Sequence, residues 1–149
     1  MSAGVFADSS ALVKLYADEQ QSDDVRKLSP LVVSQLARIE VPAALWRKHR
    51  IGEIAATDVA VLVADFEADY FGDIDAPPRF SVVAVTATLA DAAAHLVGVH
   101  GLRAYDGIQL ASALAVAAAV PDGVDFLAFD GALSTAAAAE GLTAPAIHH

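Results

Sequence analysis

Apolar residues come in short bursts along this chain, and the spacing inside the bursts alternates between two kinds. Gly4 to Ala7, Leu31 to Val33, Phe80 to Val85 and Asp125 to Phe129 are compact runs of Val, Phe and Leu, which predict strands. The stretches between them repeat their apolar residues at helical spacing. Ser9-Ser10 opens a helix through Ala11 to Tyr16, Asp23 to Leu28 predicts a short helix, and Ser34 caps a longer one to about Arg50. Thr57 to Tyr70 places Val59, Leu62, Val63 and Phe66 on one face. Thr88 to Val99, Tyr105 to Val120 and Leu133 to Glu140 follow, the last closed by Gly141, and Leu142 to Ile147 predicts an added edge strand.

Strands alternating with helices imply an α/β fold, a parallel sheet covered on both faces. Pro77-Pro78 is a clear break, and Pro42 lies inside the third helix. Pro42 removes the bond to the Arg38 carbonyl and predicts a kink or a 3₁₀-like start. No internal repeat, linker or low-complexity tail divides residues 1–149, which are expected to form one domain. A chain of this length buries roughly 70% of its unfolded surface.

With 56% apolar and 19% charged residues the chain is globular rather than disordered. Much of the apolar content is Ala, so the core rests on Val, Leu, Ile and Phe. Cysteine is absent, which excludes disulfides and thiolate metal sites. Met1 to Asp8 is not a signal peptide, and the uncharged run Gly107 to Pro121 is too short and Ala-rich for a membrane span. A cytoplasmic protein is expected. His148-His149 carry no weight in this reading.

The formal charge of −10 argues against tight non-specific nucleic-acid binding. The cations Arg38, Arg47, Lys48 and Arg50 cluster on one segment and leave a small basic patch for RNA phosphates, with Arg103 as a further contact. The same residues also read as a solvated helix end. An acidic total equally suits a basic partner segment.

Four acids stand out against the Ala-Val-Leu background: Asp8, Glu40, Asp106 and Asp130. Asp8 and Asp130 close predicted strands, Asp106 opens a helix, and Glu40 falls two turns into the helix that Ser34 begins. Ligands in open α/β sheets gather outside the carboxyl ends of the strands. Each acid alone has a plainer reading as a cap, a dipole partner or a surface residue. Together they form a hard oxygen donor set, without His or Cys, that suits Mg²⁺ or Mn²⁺ and phosphodiester hydrolysis.

The local strings resemble PIN-domain ribonucleases, in particular VapC-type toxins. Phe6-Ala7-Asp8-Ser9-Ser10-Ala11-Leu12-Val13-Lys14-Leu15-Tyr16 is similar to that family's opening strand, first acid and helix. Val33-Ser34-Gln35-Leu36-Ala37-Arg38-Ile39-Glu40-Val41 matches the place of the second acid. Leu102-Arg103-Ala104-Tyr105-Asp106-Gly107-Ile108-Gln109-Leu110-Ala111-Ser112-Ala113 is the most specific block, and Phe126-Leu127-Ala128-Phe129-Asp130-Gly131-Ala132-Leu133 resembles the closing one. The resemblance implies a PIN-like three-layer α/β/α fold with a central parallel sheet of about four to five strands. It implies a Mg²⁺- or Mn²⁺-dependent endoribonuclease, a hydrolase cutting tRNA or ribosomal RNA. It also implies a homodimer and inhibition by a cognate VapB-like antitoxin. Asp8, Glu40, Asp106 and Asp130 are then the catalytic, metal-binding carboxylates, with Ser10 supporting the first.

Three other functions compete. An aspartate-nucleophile phosphatase would attack with Asp8, but that chemistry wants an acid two positions on, where Ser10 stands. A receiver-like phosphoacceptor wants a Lys at the end of the last strand. A catalytically silent binding module has little reason to keep four like charges together. Trp46 and Phe66 suit helix packing or a groove for an antitoxin segment; Tyr16, Tyr70 and Tyr105 suit packing or base stacking.

Overall fold

The computed structural model describes residues 4–147, so His148 and His149 lie outside the described residues. Four strands pair in parallel: β1 (Val5–Ala7), β2 (Leu31–Ser34), β3 (Phe80–Val83) and β4 (Asp125–Leu127), in the order β3-β2-β1-β4. The helices are α1 (Ser9–Tyr16), α2 (Ser22–Arg26), α3 (Ala37–Arg50), α4 (Ala56–Phe71), α5 (Ala87–His100), α6 (Ala104–Ala119) and α7 (Gly131–Ala139). None of them is long and apolar enough to cross a membrane.

The two faces of β1 divide the core by simple alternation. Val5 and Ala7 face one apolar cluster, with Leu12, Val25, Val41, Leu45, Val59 and Phe66 from α1 to α4. Phe66 is fully buried and meets Tyr16 edge-on at 5.7 Å, and Trp46 packs half-buried against the same cluster. Phe6 faces the other cluster, where it stacks on Phe126 at 5.8 Å beside Leu96, Leu110 and Leu133 from α5, α6 and α7. The result is the expected α/β/α sandwich.

Several expected boundaries move, each for a local reason. β3 stops at Val83 because the Gln35 side chain accepts from the Val85 amide at 2.9 Å. β4 stops at Leu127, and the Phe129 amide donates instead to the Ser10 hydroxyl at 3.0 Å. The expected edge strand at Leu142 to Ile147 does not form. Among the described residues it is reduced to one bond, Phe126 amide to Thr143 carbonyl at 2.8 Å, and Pro145 has no N–H with which to extend a ladder. Ser34 ends β2 and accepts from the Leu36 amide at 3.1 Å, so it caps the turn rather than the helix. α3 begins three residues later, through i−3 bonds from Arg38 to Gln35 and from Ile39 to Leu36. This is the 3₁₀-like start, and the helix then runs on through Pro42. Leu142 and Gly141 close α7 by donating to the Ala137 and Ala138 carbonyls, the bond pattern of a Schellman motif.

Gly107, a poor helix former beside Asp106, is explained by packing. A Cβ there would stand 2.5 Å from Val97 Cγ2 and 3.1 Å from the Ala93 carbonyl oxygen of α5. Gly107→Ala should therefore cost about 1–3 kcal/mol through overpacking, despite alanine's better helix propensity. A urea midpoint equal to or above that of wild type would show that α5 and α6 are not in this close contact.

Candidate active site

β1 lies between β2 and β4, so the chain departs from it on one side and returns to it on the other. Such a switch point opens a crevice at the carboxyl ends of the strands. Asp8, Glu40, Asp106 and Asp130 all line this crevice, a cleft of about 300 Å³ shared with Ser9, Ser10, Arg103, Gln109 and Phe129. A larger open groove of about 680 Å³ lies beside Tyr16, Glu19, Lys48 and Leu62, and it contains none of the four acids.

Asp8 directly follows β1, and its amide donates to the Leu127 carbonyl at 3.1 Å. Its Oδ1 accepts from the Ala11 amide at 3.0 Å and from the Ser10 hydroxyl at 2.6 Å. Asp8, not Ser9, is therefore the cap of α1. Asp130 caps α7 in the same way, Oδ1 accepting from the Leu133 amide at 2.9 Å. In these two acids capping is compatible with a place in the cleft: Oδ1 caps the helix, and the second oxygen is left to other partners. Glu40 comes from the first turn of α3 rather than the second, because that helix starts late. Asp106 occupies the first turn of α6 as expected.

Ser10 links the strand ends, donating to Asp8 while accepting from the Phe129 amide beyond β4. Arg103, its side chain 80% exposed, spans two acids: Nε donates to Asp106 Oδ2 at 3.1 Å and Nη2 to Asp130 Oδ2 at 3.2 Å. The Asp106 hydrogen bond, then the charges of Asp106 and Asp130, push its guanidinium above the ordinary arginine value.

Two site residues escape the sequence reading. The Ser9 hydroxyl donates to Glu40 Oε1 at 2.8 Å, and the Gln109 side-chain amide donates to the same oxygen at 2.9 Å. The available signal for Gln109 was a polar residue three positions after Asp106, on the same face of an Ala- and Leu-rich helix.

The other cations are largely engaged elsewhere. Arg38 pairs with Glu67 at 2.7 Å and lies over the Phe71 ring, and Lys48 is held by Glu19 and Glu53. Arg47 and Arg50 are exposed and carry no ion pair among the described residues. The expected basic patch on α3 is thus reduced to these two.

Burial governs the electrostatics. Asp8 is 5% exposed, and its carboxyl is pushed up to about 7 from 3.8. Loss of water is the main cause; the Ser10 and Ala11 bonds oppose it, and the charges of Glu40 and Asp106 add to it. Among the described residues no three acidic or imidazole groups converge tightly enough to form a closed metal cage. The donor set nevertheless fits a hard ion that keeps several of its waters and takes only one or two carboxylates directly. A carboxyl raised by loss of water, and further by like charges, is the stress that such an ion relieves.

A family model, PIN domain, matches residues 5–138, from β1 into α7. Ribonuclease VapC45 of Mycobacterium tuberculosis (strain CDC 1551 / Oshkosh) is 36% identical over 141 residues, covering 92% of this chain and 91% of its own. Ribonuclease VapC49 of Mycobacterium tuberculosis (strain ATCC 25618 / H37Rv) matches to the same extent, 36% over 141 residues. Among solved structures, PAE2754 from Pyrobaculum aerophilum shares the fold with a TM-score of 0.61 at 21% identity, over 95% of this chain and 83% of that one. A chain of a toxin–antitoxin complex from Klebsiella pneumoniae does so at 0.55 and 13%, over 85% and 86%. With a family match spanning nearly every element and VapC relatives aligned end to end, this chain belongs to the PIN-domain family, and within it to the VapC type.

Proposed function

We propose that this protein is a Mg²⁺- or Mn²⁺-dependent endoribonuclease toxin that hydrolyses phosphodiester bonds in RNA. The observation that carries the reading is the meeting of Asp8, Glu40, Asp106 and Asp130, from four separate stretches of chain, in one cleft at the sheet's switch point. The relatives named ribonuclease VapC align over 92% of the chain, which supports the same activity here. The four carboxylates would hold the ion, one or two of them directly and the others through its waters. Bound there, it supplies the activation of water and the neutralisation of phosphate charge that in-line displacement needs.

The chain's own residues position and neutralise. Ser10 and the Ala11 amide fix Asp8, and Asp130 is fixed by the Leu133 amide. Arg103 stands on the rim, where it can exchange a carboxylate for a phosphate oxygen. Tyr105, 59% exposed, lines a neighbouring hollow with Glu40, Arg103 and Asp106 and offers a stacking face to an unpaired base. Tyr16 is instead bonded to Asp69 at 2.7 Å, and Tyr70 packs against Phe66 and Phe71. With a net charge of −10, affinity must come from these few local contacts, which suits a selected RNA such as a tRNA or ribosomal RNA. A cognate VapB-like antitoxin, a homodimeric state and a cytoplasmic setting complete the proposal.

Purified protein with Mn²⁺ or Mg²⁺ should cut total cellular RNA into discrete fragments. EDTA should abolish them, and Asp8→Asn should reduce the rate about 100-fold or more. Fragments that survive both changes would sink the reading.

Asp8 also makes a stability prediction. Its raised value means that the folded protein keeps a proton which the unfolded chain releases above 3.8. The associated stability is complete below 3.8 and is lost as pH rises through about 7. In Asp8→Asn the carboxamide oxygen keeps the bonds from the Ala11 amide and the Ser10 hydroxyl without a charge to bury. In EDTA the variant should melt above wild type at about pH 8, and the gap should narrow towards about pH 5. A gap that does not change with pH would contradict a buried, titrating Asp8.

A further inference from the structure

Glu40 enters the cleft on a long side chain with several rotors, and a carboxylate left to rotate makes a poor ligand. Three side chains form a closed ring that stops it. Ser9 Oγ and Gln109 Nε2 both donate to Glu40 Oε1, and Gln109 Nε2 also donates to Ser9 Oγ at 3.1 Å. The ring ties α1, α3 and α6 together across 31, 69 and 100 residues of sequence. Both donors to Glu40 fall on Oε1, which leaves Oε2 for a cation.

Gln109 is an expensive residue for this place. It is 2% exposed, and its Oε1 is buried with no hydrogen-bond partner among the described residues. A buried acceptor without a partner is destabilising, whereas an apolar side chain of similar length would pack there without that penalty. Turning the amide over does not help. Oε1 would then face Glu40 Oε1 and a Ser9 oxygen whose hydrogen is already given to Glu40. The network therefore dictates the amide's orientation, and the orphaned oxygen is its consequence. The donors are also neutral. A lysine or arginine would hold Glu40 as firmly but cancel the charge that attracts a cation.

We propose that Gln109 is a positioning residue for Glu40, acting with Ser9 to present Oε2 as the second acid of the divalent-cation site. The proposal rests on the nuclease reading above and adds to it a residue that holds a ligand without being one. The test compares wild type with Gln109→Met, Ser9→Ala and the double variant. For each, calorimetry gives Mn²⁺ affinity in the absence of RNA, steady-state cleavage gives kcat and KM, and thermal melting is followed in EDTA. Gln109→Met should melt at or above wild type, bind Mn²⁺ roughly 10-fold more weakly, and lose kcat with little change in KM. The Ser9→Ala and Gln109→Met effects on Mn²⁺ affinity should be non-additive, because both act on one carboxylate oxygen. Wild-type Mn²⁺ affinity in Gln109→Met would overturn the proposal. So would a lowered melting temperature accompanied by additive effects in the cycle, which would mark Gln109 as structural only. Wild type that neither binds Mn²⁺ nor cleaves RNA would refute the nuclease reading and this proposal with it. Active wild type beside an indifferent Gln109→Met refutes this proposal alone.

Discussion

Like charges packed at one edge of a parallel sheet are the constraint around which the rest of this molecule is arranged. Carboxylates repel, and burial raises the cost of each charge, as the upward shift of Asp8 records. The fold accommodates them by giving three of the acids one anchored oxygen. Asp8 and Asp130 each fasten Oδ1 to the first turn of a helix, and Glu40 fastens Oε1 to a serine and a glutamine. Helix N-termini attract anions, so the caps of α1 and α7 serve local structure and charge placement together. The remaining oxygens are left to Arg103 or to a ligand.

This arrangement shows why the site is polar in a particular way. The groups that hold Asp8 and Glu40 are hydroxyls and amides, which orient a carboxylate without neutralising it. The cation in the cleft, Arg103, is on the exposed rim, where its ion pairs are weak and exchangeable. Elsewhere several cations are matched to acids of their own, as Arg38 is to Glu67 and Lys48 to Glu19, while Arg47 and Arg50 carry no ion pair among the described residues. The cleft itself sets four acids against Arg103, a field favourable to a divalent ion, and the total charge of −10 is unfavourable to indiscriminate RNA binding.

The solved neighbours share the fold at 21% and 13% identity, so the architecture tolerates extensive replacement of side chains. What such a fold supplies is the switch point beside β1 and the helix starts that surround it. The chemistry then depends on which side chains occupy those starts, and fold alone does not determine function.

Strand and helix order, the parallel sheet and the four acids were all legible in the sequence, because apolar periodicity and capping residues are local signals. The boundaries were less so. Ser34 reads as a helix cap, yet its hydroxyl serves the Leu36 amide, and that displacement moves Glu40 into the first turn of α3. Gly107 looks like a weakness until the Ala93 carbonyl and Val97 of α5 are seen against it. Ser9 and Gln109 are 100 residues apart, and no local pattern joins them. The sequence by itself determined which groups could bear charge and which elements would carry them. Only the tertiary structure decided which oxygens are held, which charges are buried and which cations are already paired, because those depend on contacts between segments distant in the chain.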